Sequence, residues 1–138
     1  MPERIQQLCR ETGQPVPEGK GEILRLVAES VDLKHRVRFD QLQHITGKKL
    51  ARIHMGGGGI KNELLSQAIA TSCGVPVYAG PIEATACGNI ITQMVATGDL
   101  PDIAAGRQLI RDSTPLKIFS PQDPTPWNAA LARFEKGL

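Results

Sequence analysis

The sequence predicts a helix-rich α/β domain built around one parallel β–α–β unit, with too few strands to complete a sheet of its own. Three observations predict it. Arg52-Ile53-His54-Met55 is a short strand candidate that runs directly into Gly56-Gly57-Gly58-Gly59. Residues 60–72 then place Leu64, Leu65, Ala68 and Ile69 on one helical face. After Gly74, Val75-Pro76-Val77-Tyr78 is a second strand candidate. A strand, a crossover helix and a second strand form a parallel, right-handed pair.

The other elements follow in chain order. Residues 2–12 read as a short helix, with Pro2 suited to its first turn and Gly13 to its stop. Gln14-Pro15-Val16-Pro17 is extended, because each proline pushes its predecessor out of the helical region. From residue 17 to 45, Ile23, Leu26, Val27, Val31, Val37, Leu42 and Ile45 recur at three- and four-residue intervals. This long helix, ended by Gly47, is expected to lie across a sheet. In the central helix Asn62 and Glu63 suit the first turn. Ala79-Gly80-Pro81 is a turn, and residues 83–97 form a helix rich in small residues. Asp102 can cap a helix running to about Asp112. Residues 115–119 are extended and make a weaker third strand, and Thr125-Pro126 opens a last helix with Trp127, Leu131 and Phe134. Parallel sheets are normally covered on both faces, so a chain with this few strands calls for a partner or for more chain.

Composition narrows the function. The 138 residues suit one domain, and 41% hydrophobic with 22% charged residues is the balance of a globular chain. No apolar run is long enough to span a membrane, and the start, MPERIQQLCRE, lacks the apolar stretch of a signal peptide. Cys9, Cys73 and Cys87 are odd in number and form no CxxC pair, which suits reduced thiols in a cytoplasmic protein. His35, His44 and His54 are scattered, and no paired ligands suggest a metal. Residues 20–61 hold nine Lys or Arg against four acids, but aromatics are only 4% of the chain. A basic stretch with no stacking platform reads as a solvated face rather than a nucleic-acid surface.

The glycine turn carries the chemistry. Without Cβ atoms its backbone lets a flat or charged ligand approach closely, and the next helix aims free amides and a positive dipole end at the same place. A nucleotide is the commonest ligand for that geometry. Two familiar phosphate motifs are absent: there is no GxxxxGK[ST], and Gly57-x-Gly59 is followed by Asn62 where a Rossmann turn needs a third glycine.

The run Ile53-His54-Met55-Gly56-Gly57-Gly58-Gly59-Ile60-Lys61-Asn62-Glu63-Leu64-Leu65-Ser66-Gln67 resembles the adenosine-binding motif of FGGY-type carbohydrate kinases. Gly80-Pro81-Ile82-Glu83-Ala84-Thr85-Ala86-Cys87-Gly88-Asn89-Ile90 is similar to the segment that follows it in those enzymes, and Met1-Pro2-Glu3 and residues 12–17 fit the stretch upstream. The resemblance implies an RNase H-like, actin-like ATPase fold, incomplete here. It implies a kinase that moves the γ-phosphate of ATP to a sugar hydroxyl with Mg2+. Residues 1–138 would be the C-terminal part of its nucleotide-binding domain. Gly57, Gly58 and Gly59 would lie against adenine and ribose, and Asn62 would reach the base or sugar edge. Glu83, Thr85, Ala86 and Gly88 would sit in a closely packed helix near the interdomain hinge. Gly56 stands where the family has a strand aliphatic, which implies a looser strand end. Ile60 and Lys61 replace a small polar residue and an amide.

Phosphoryl transfer also needs a base, magnesium ligands and phosphate loops. The family carries its Asp base, sugar contacts and phosphate loops upstream of the matching region, so no catalytic residue is assigned here. The chain alone is expected to be inactive; its expected partners are adenine nucleotide and the missing N-terminal kinase domain or a second copy of itself, with the sugar bound only by the complete enzyme. The alternative is a stand-alone, self-associating nucleotide-binding or structural module without catalysis.

Overall fold

Pro2 and Glu3 suit a helical first turn, and the first helix, α1 (Pro2–Glu11), ends just before Gly13. The computed structural model describes residues 1–136. Helix α2 (Lys20–Thr46) begins where the Glu22 carboxylate turns back to accept the amides of Glu18 (2.8 Å) and Gly19 (3.4 Å), and ends at Gly47 in the left-handed conformation. Strand β1 (Ile53–Met55) leads through the glycine turn and a 3-10 turn (Gly58–Lys61) into α3 (Glu63–Cys73) and β2 (Val77–Ala79). Helices α4 (Ala84–Thr97) and α5 (Ile103–Ser113), strand β3 (Lys117–Phe119) and α6 (Thr125–Lys136) complete the order.

The strands form one sheet in the order β1-β2-β3. β1 and β2 are parallel, as the β–α–β reading requires, with Ile53 opposite Val77 and Met55 opposite Ala79. β3 runs antiparallel to β2, with Phe119 opposite Val77. The third strand is therefore real. Its apolar alternation is masked because Lys117 occupies a sheet position and pairs at 2.6 Å with Glu63 at the start of α3.

One sheet face is covered. Val77, Ala79 and Phe119 join Ile69, Ala70 and Cys73 of α3 and Phe39 of α2 in a single buried cluster, with Ile53 and Met55 packed against it. Helix α3 forms the middle layer between the sheet and α2. This corrects the expected position of the long helix, which packs on α3. The reason is size: 27 helical residues extend about 40 Å, whereas a three-residue strand extends about 10 Å. Only a central stretch of α2 finds cover, so Leu24 and Ile45 toward its ends stay 70% and 81% exposed.

The α2–α3 seam is polar at one place. Asp32 is fully buried; its Oδ1 accepts a hydrogen bond from Ser72 Oγ at 2.9 Å, and its Oδ2 has no partner. Arg36 donates to the carbonyl of Ser72 and pairs with Asp40 at 2.7 Å. Burial raises the Asp32 carboxyl to about 6 despite the Ser72 hydrogen bond and the nearby His35 and Arg36. Burial likewise pushes the Cys73 thiol up to about 11.

Helices α4 and α5 pack through a missing side chain. A Cβ on Gly106 would overlap Cγ2 of the buried Ile91. Gly106→Val is expected to lower stability by about 1–3 kcal/mol, because Ile91 must leave its rotamer to make room. The urea midpoint of the variant measures the effect.

Candidate functional site

Parallel strands β1 and β2 end on the same side of the sheet, and their exits are tied together. Gly80 N–H donates to the Met55 carbonyl at 2.9 Å, and Gly57 N–H donates to the Pro81 carbonyl at 3.0 Å. A Cβ on Gly56 would lie 3.0 Å from Ala84 Cβ and 3.6 Å from the Pro81 carbonyl oxygen. The strand end is thus not loose. Glycine at 56 lets the start of α4 close onto the turn, where an aliphatic side chain would push it away.

Beyond Gly56 the turn opens. Gly57 has φ +86° and ψ 179°, a conformation that favours glycine. The Cβ positions of Gly57, Gly58 and Gly59 meet nothing within 4 Å. Ile60 N–H donates to the Gly57 carbonyl at 3.3 Å and Asn62 N–H to the Gly59 carbonyl at 3.1 Å, so the turn holds its own shape. Gly57, Gly58 and Gly59 thus form a short, open ledge at the carboxyl ends of the parallel strands, the usual place for ligands in open α/β sheets, and Asn62 follows it as the cap of α3.

Asn62 does a local task as well. Its Oδ1 caps α3 by accepting the Leu65 N–H at 3.1 Å, and its backbone carbonyl accepts Ser66 N–H and Oγ at 3.1 and 3.3 Å. Only the side-chain NH2 is left to reach outward. Glu63 adds negative charge in the first turn. The cap therefore meets one of the free amides at the start of α3, and the Glu63 charge is balanced by Lys117 at 2.6 Å.

The second quoted segment is only partly brought in. Pro81 and Ala84 touch the glycine turn, but Thr85, Ala86 and Gly88 are exposed, and a Cβ on Gly88 would meet nothing within 4 Å. Within this chain the close approaches are at Gly56–Ala84 and Gly106–Ile91. Sequence reasoning did not single out Pro81 as the holder of Gly57, because a bond between residues 24 positions apart leaves no local signal. Among the described residues, no group of three or more His, Cys, Asp or Glu side chains is placed to hold a metal ion.

Residues 1–97 match the family described as the FGGY family of carbohydrate kinases, C-terminal domain. A rhamnulokinase of Bacteroides thetaiotaomicron is 44% identical over 135 residues, which covers 98% of this chain and 28% of the relative. A rhamnulokinase of Bacillus subtilis is 40% identical over 123 residues, covering 89% and 25%. One of Enterococcus faecalis is 44% identical over 117 residues, covering 83% and 24%. The chain spans 24–28% of the length of these relatives. Its similarity to them extends along most of its own length, and the glycine turn falls inside the matched domain: this chain belongs to the FGGY family of carbohydrate kinases.

Proposed function

We propose that this chain is the C-terminal, adenine-nucleotide-binding portion of a cytoplasmic sugar kinase resembling rhamnulokinase. The complete enzyme would have the RNase H-like, actin-like ATPase fold and phosphorylate L-rhamnulose at its 1-hydroxyl, using ATP and Mg2+. The observation that carries the reading is the open ledge at Gly57, Gly58 and Gly59, where an added Cβ would meet no atom within 4 Å. Gly57, Gly58 and Gly59 would lie against adenine and ribose, and the Asn62 NH2 would donate to the base or sugar edge. ATP supplies the phosphoryl group; these residues bind and orient its adenosine end. Magnesium ligands, the base for the sugar hydroxyl and the phosphate loops belong to the rest of the enzyme, so the chain alone is inactive. The relatives' names support this reading.

Backbone amide NMR during an ADP or ATP titration tests it. Saturable shifts are expected at Gly57, Gly58, Gly59 and Asn62, weak in affinity and absent with GTP. Gly58→Val should abolish them while the remaining spectrum stays folded, since Gly58 has negative φ and open space around it. No shift up to millimolar nucleotide would count against the site.

A further inference from the structure

We infer that the segment from Lys117 to Gln122 is a strap that holds the first turn of α3, and through it the Asn62 cap and the glycine ledge, with Lys117 and Glu63 as the positioning pair at the ledge end. The inference rests on the reading of that ledge as a nucleotide seat, and assigns a task to residues outside the glycine motif.

Three polar links join the segment to one stripe of α3. Lys117 Nζ pairs with Glu63 Oε1 at 2.6 Å. Gln67 Nε2 donates to the Ser120 carbonyl at 2.8 Å. Gln122 N–H donates to Thr71 Oγ1 at 3.3 Å, and the same hydroxyl donates to the Gln67 carbonyl at 2.9 Å. Glu63, Gln67 and Thr71 are each four positions apart, so their side chains lie along one side of the helix. The lengths agree as well. From residue 63 to 71 the helix rises about 12 Å, and from 117 to 122 an extended chain reaches about 16 Å. Strap and helix run in the same direction, so each link falls where its partner arrives.

The core fixes the register of the strap. Lys117 lies opposite Ala79 and Phe119 opposite Val77 on β2. Phe119 is buried in the cluster with Ile69. Lys117, on the same side of the strand, keeps its ammonium 5.4 Å from the Phe119 ring centre. Ala79 is the last residue of β2, and the N–H of Gly80 after it donates to the Met55 carbonyl. Lys117 is thus at the ledge end of the sheet. Residues 1–97 carry the match to the family domain, so a ledge inside the matched residues is held by chain beyond them.

Position decides which link bears on the ledge. Glu63 follows Asn62 directly, and the first turn of a helix has amides without partners in the helix. The Asn62 side chain meets one of them, on Leu65. An outside anchor on Glu63 restrains the turn that aims the Asn62 NH2. The Lys117 and Glu63 side chains are 57% and 61% exposed, and exposed pairs add little to global stability. Loss of the pair is therefore read in the cap and the ledge rather than in the melting temperature.

Amide exchange and ADP affinity test the inference in Lys117→Met, which keeps an apolar stem near Phe119, in Glu63→Gln, and in the swapped pair Glu63→Lys with Lys117→Glu. Each single variant is expected to speed exchange of the Leu65 and Ser66 amides, which Asn62 holds, by about 2–5-fold. ADP binding should weaken by a similar factor, and the melting temperature should stay within about 3 °C. The swapped pair should recover most of both losses. Unchanged Leu65 and Ser66 exchange in the single variants overturns the inference, as does a swapped pair no better than the singles. A lower melting temperature with equal acceleration at Ile69 shows a general loss of stability and overturns it too. Exchange that follows the pair in a chain that binds no ADP keeps the strap and removes the nucleotide reading. Equal ADP binding in all four proteins, with exchange unchanged, does the reverse.

Discussion

Asp32→Asn is expected to raise stability at pH 8 by about 2 kcal/mol and to leave it nearly unchanged at pH 4.5. The carboxyl of Asp32 is raised from its ordinary 3.8 to about 6, chiefly because burial penalises its charge. That difference corresponds to about 3 kcal/mol. Well below pH 3.8 the group is protonated in both folded and unfolded chains and costs nothing. As pH rises through 3.8 toward 6 the unfolded chain releases its proton first, so stability falls, and above about 6 nearly the full cost is present. Asparagine removes the charge and keeps an oxygen to accept from Ser72 Oγ. Its NH2 would lie where Oδ2 now has no partner, which returns about 1 kcal/mol of the gain. Urea denaturation of both proteins at the two pH values measures the difference. An equal difference at both pH values would show that the buried charge is not its source.

Ile69→Ala is expected to cost about 2–5 kcal/mol, as removal of a buried branched side chain leaves a cavity that a packed core closes only in part. Ile69 is 1% exposed and belongs to the cluster that joins α3 to Phe39, Val77, Ala79 and Phe119. Against a total stability of about 5–15 kcal/mol for a domain, the variant lies near unfolding. The same loss should reach the candidate site, because Asn62 and the glycine ledge are held by the start of α3. Thermal unfolding by circular dichroism gives the first effect, and loss of ADP-dependent amide shifts the second. Ile118→Ala, an aliphatic truncation on the open sheet face, is the control and should change the isolated chain by less than about 0.5 kcal/mol.

Much of the site was legible because it is local. Four consecutive glycines after a strand, then Asn62 and Glu63 before an apolar helical run, specify a strand, an open turn and a capped helix within a dozen residues. The α3 boundary differed for a local reason as well: Asn62 is the cap, so residues 58–61 form a separate 3-10 turn and the helix begins at Glu63. The closeness of Gly56 to Ala84 and of Gly57 to Pro81 was not legible, since each joins segments more than twenty residues apart. Within this chain Thr85, Ala86 and Gly88 are exposed, and the close approaches fall at Ala84 and Gly106.

Periodicity, glycine and proline positions and a contiguous motif act over short spans, so the elements, the parallel β1–α3–β2 unit and the family are readable from the order of residues. Which surfaces those elements share is set only when the whole chain packs. That packing set β3 antiparallel beside β2, placed α2 on α3, buried Asp32 against Ser72, and left His54, Tyr78 and Ile118 on an open face. The physical reason is that a helix or strand carries its apolar face in its sequence, while the partner of that face depends on the lengths and ends of every other element packed with it.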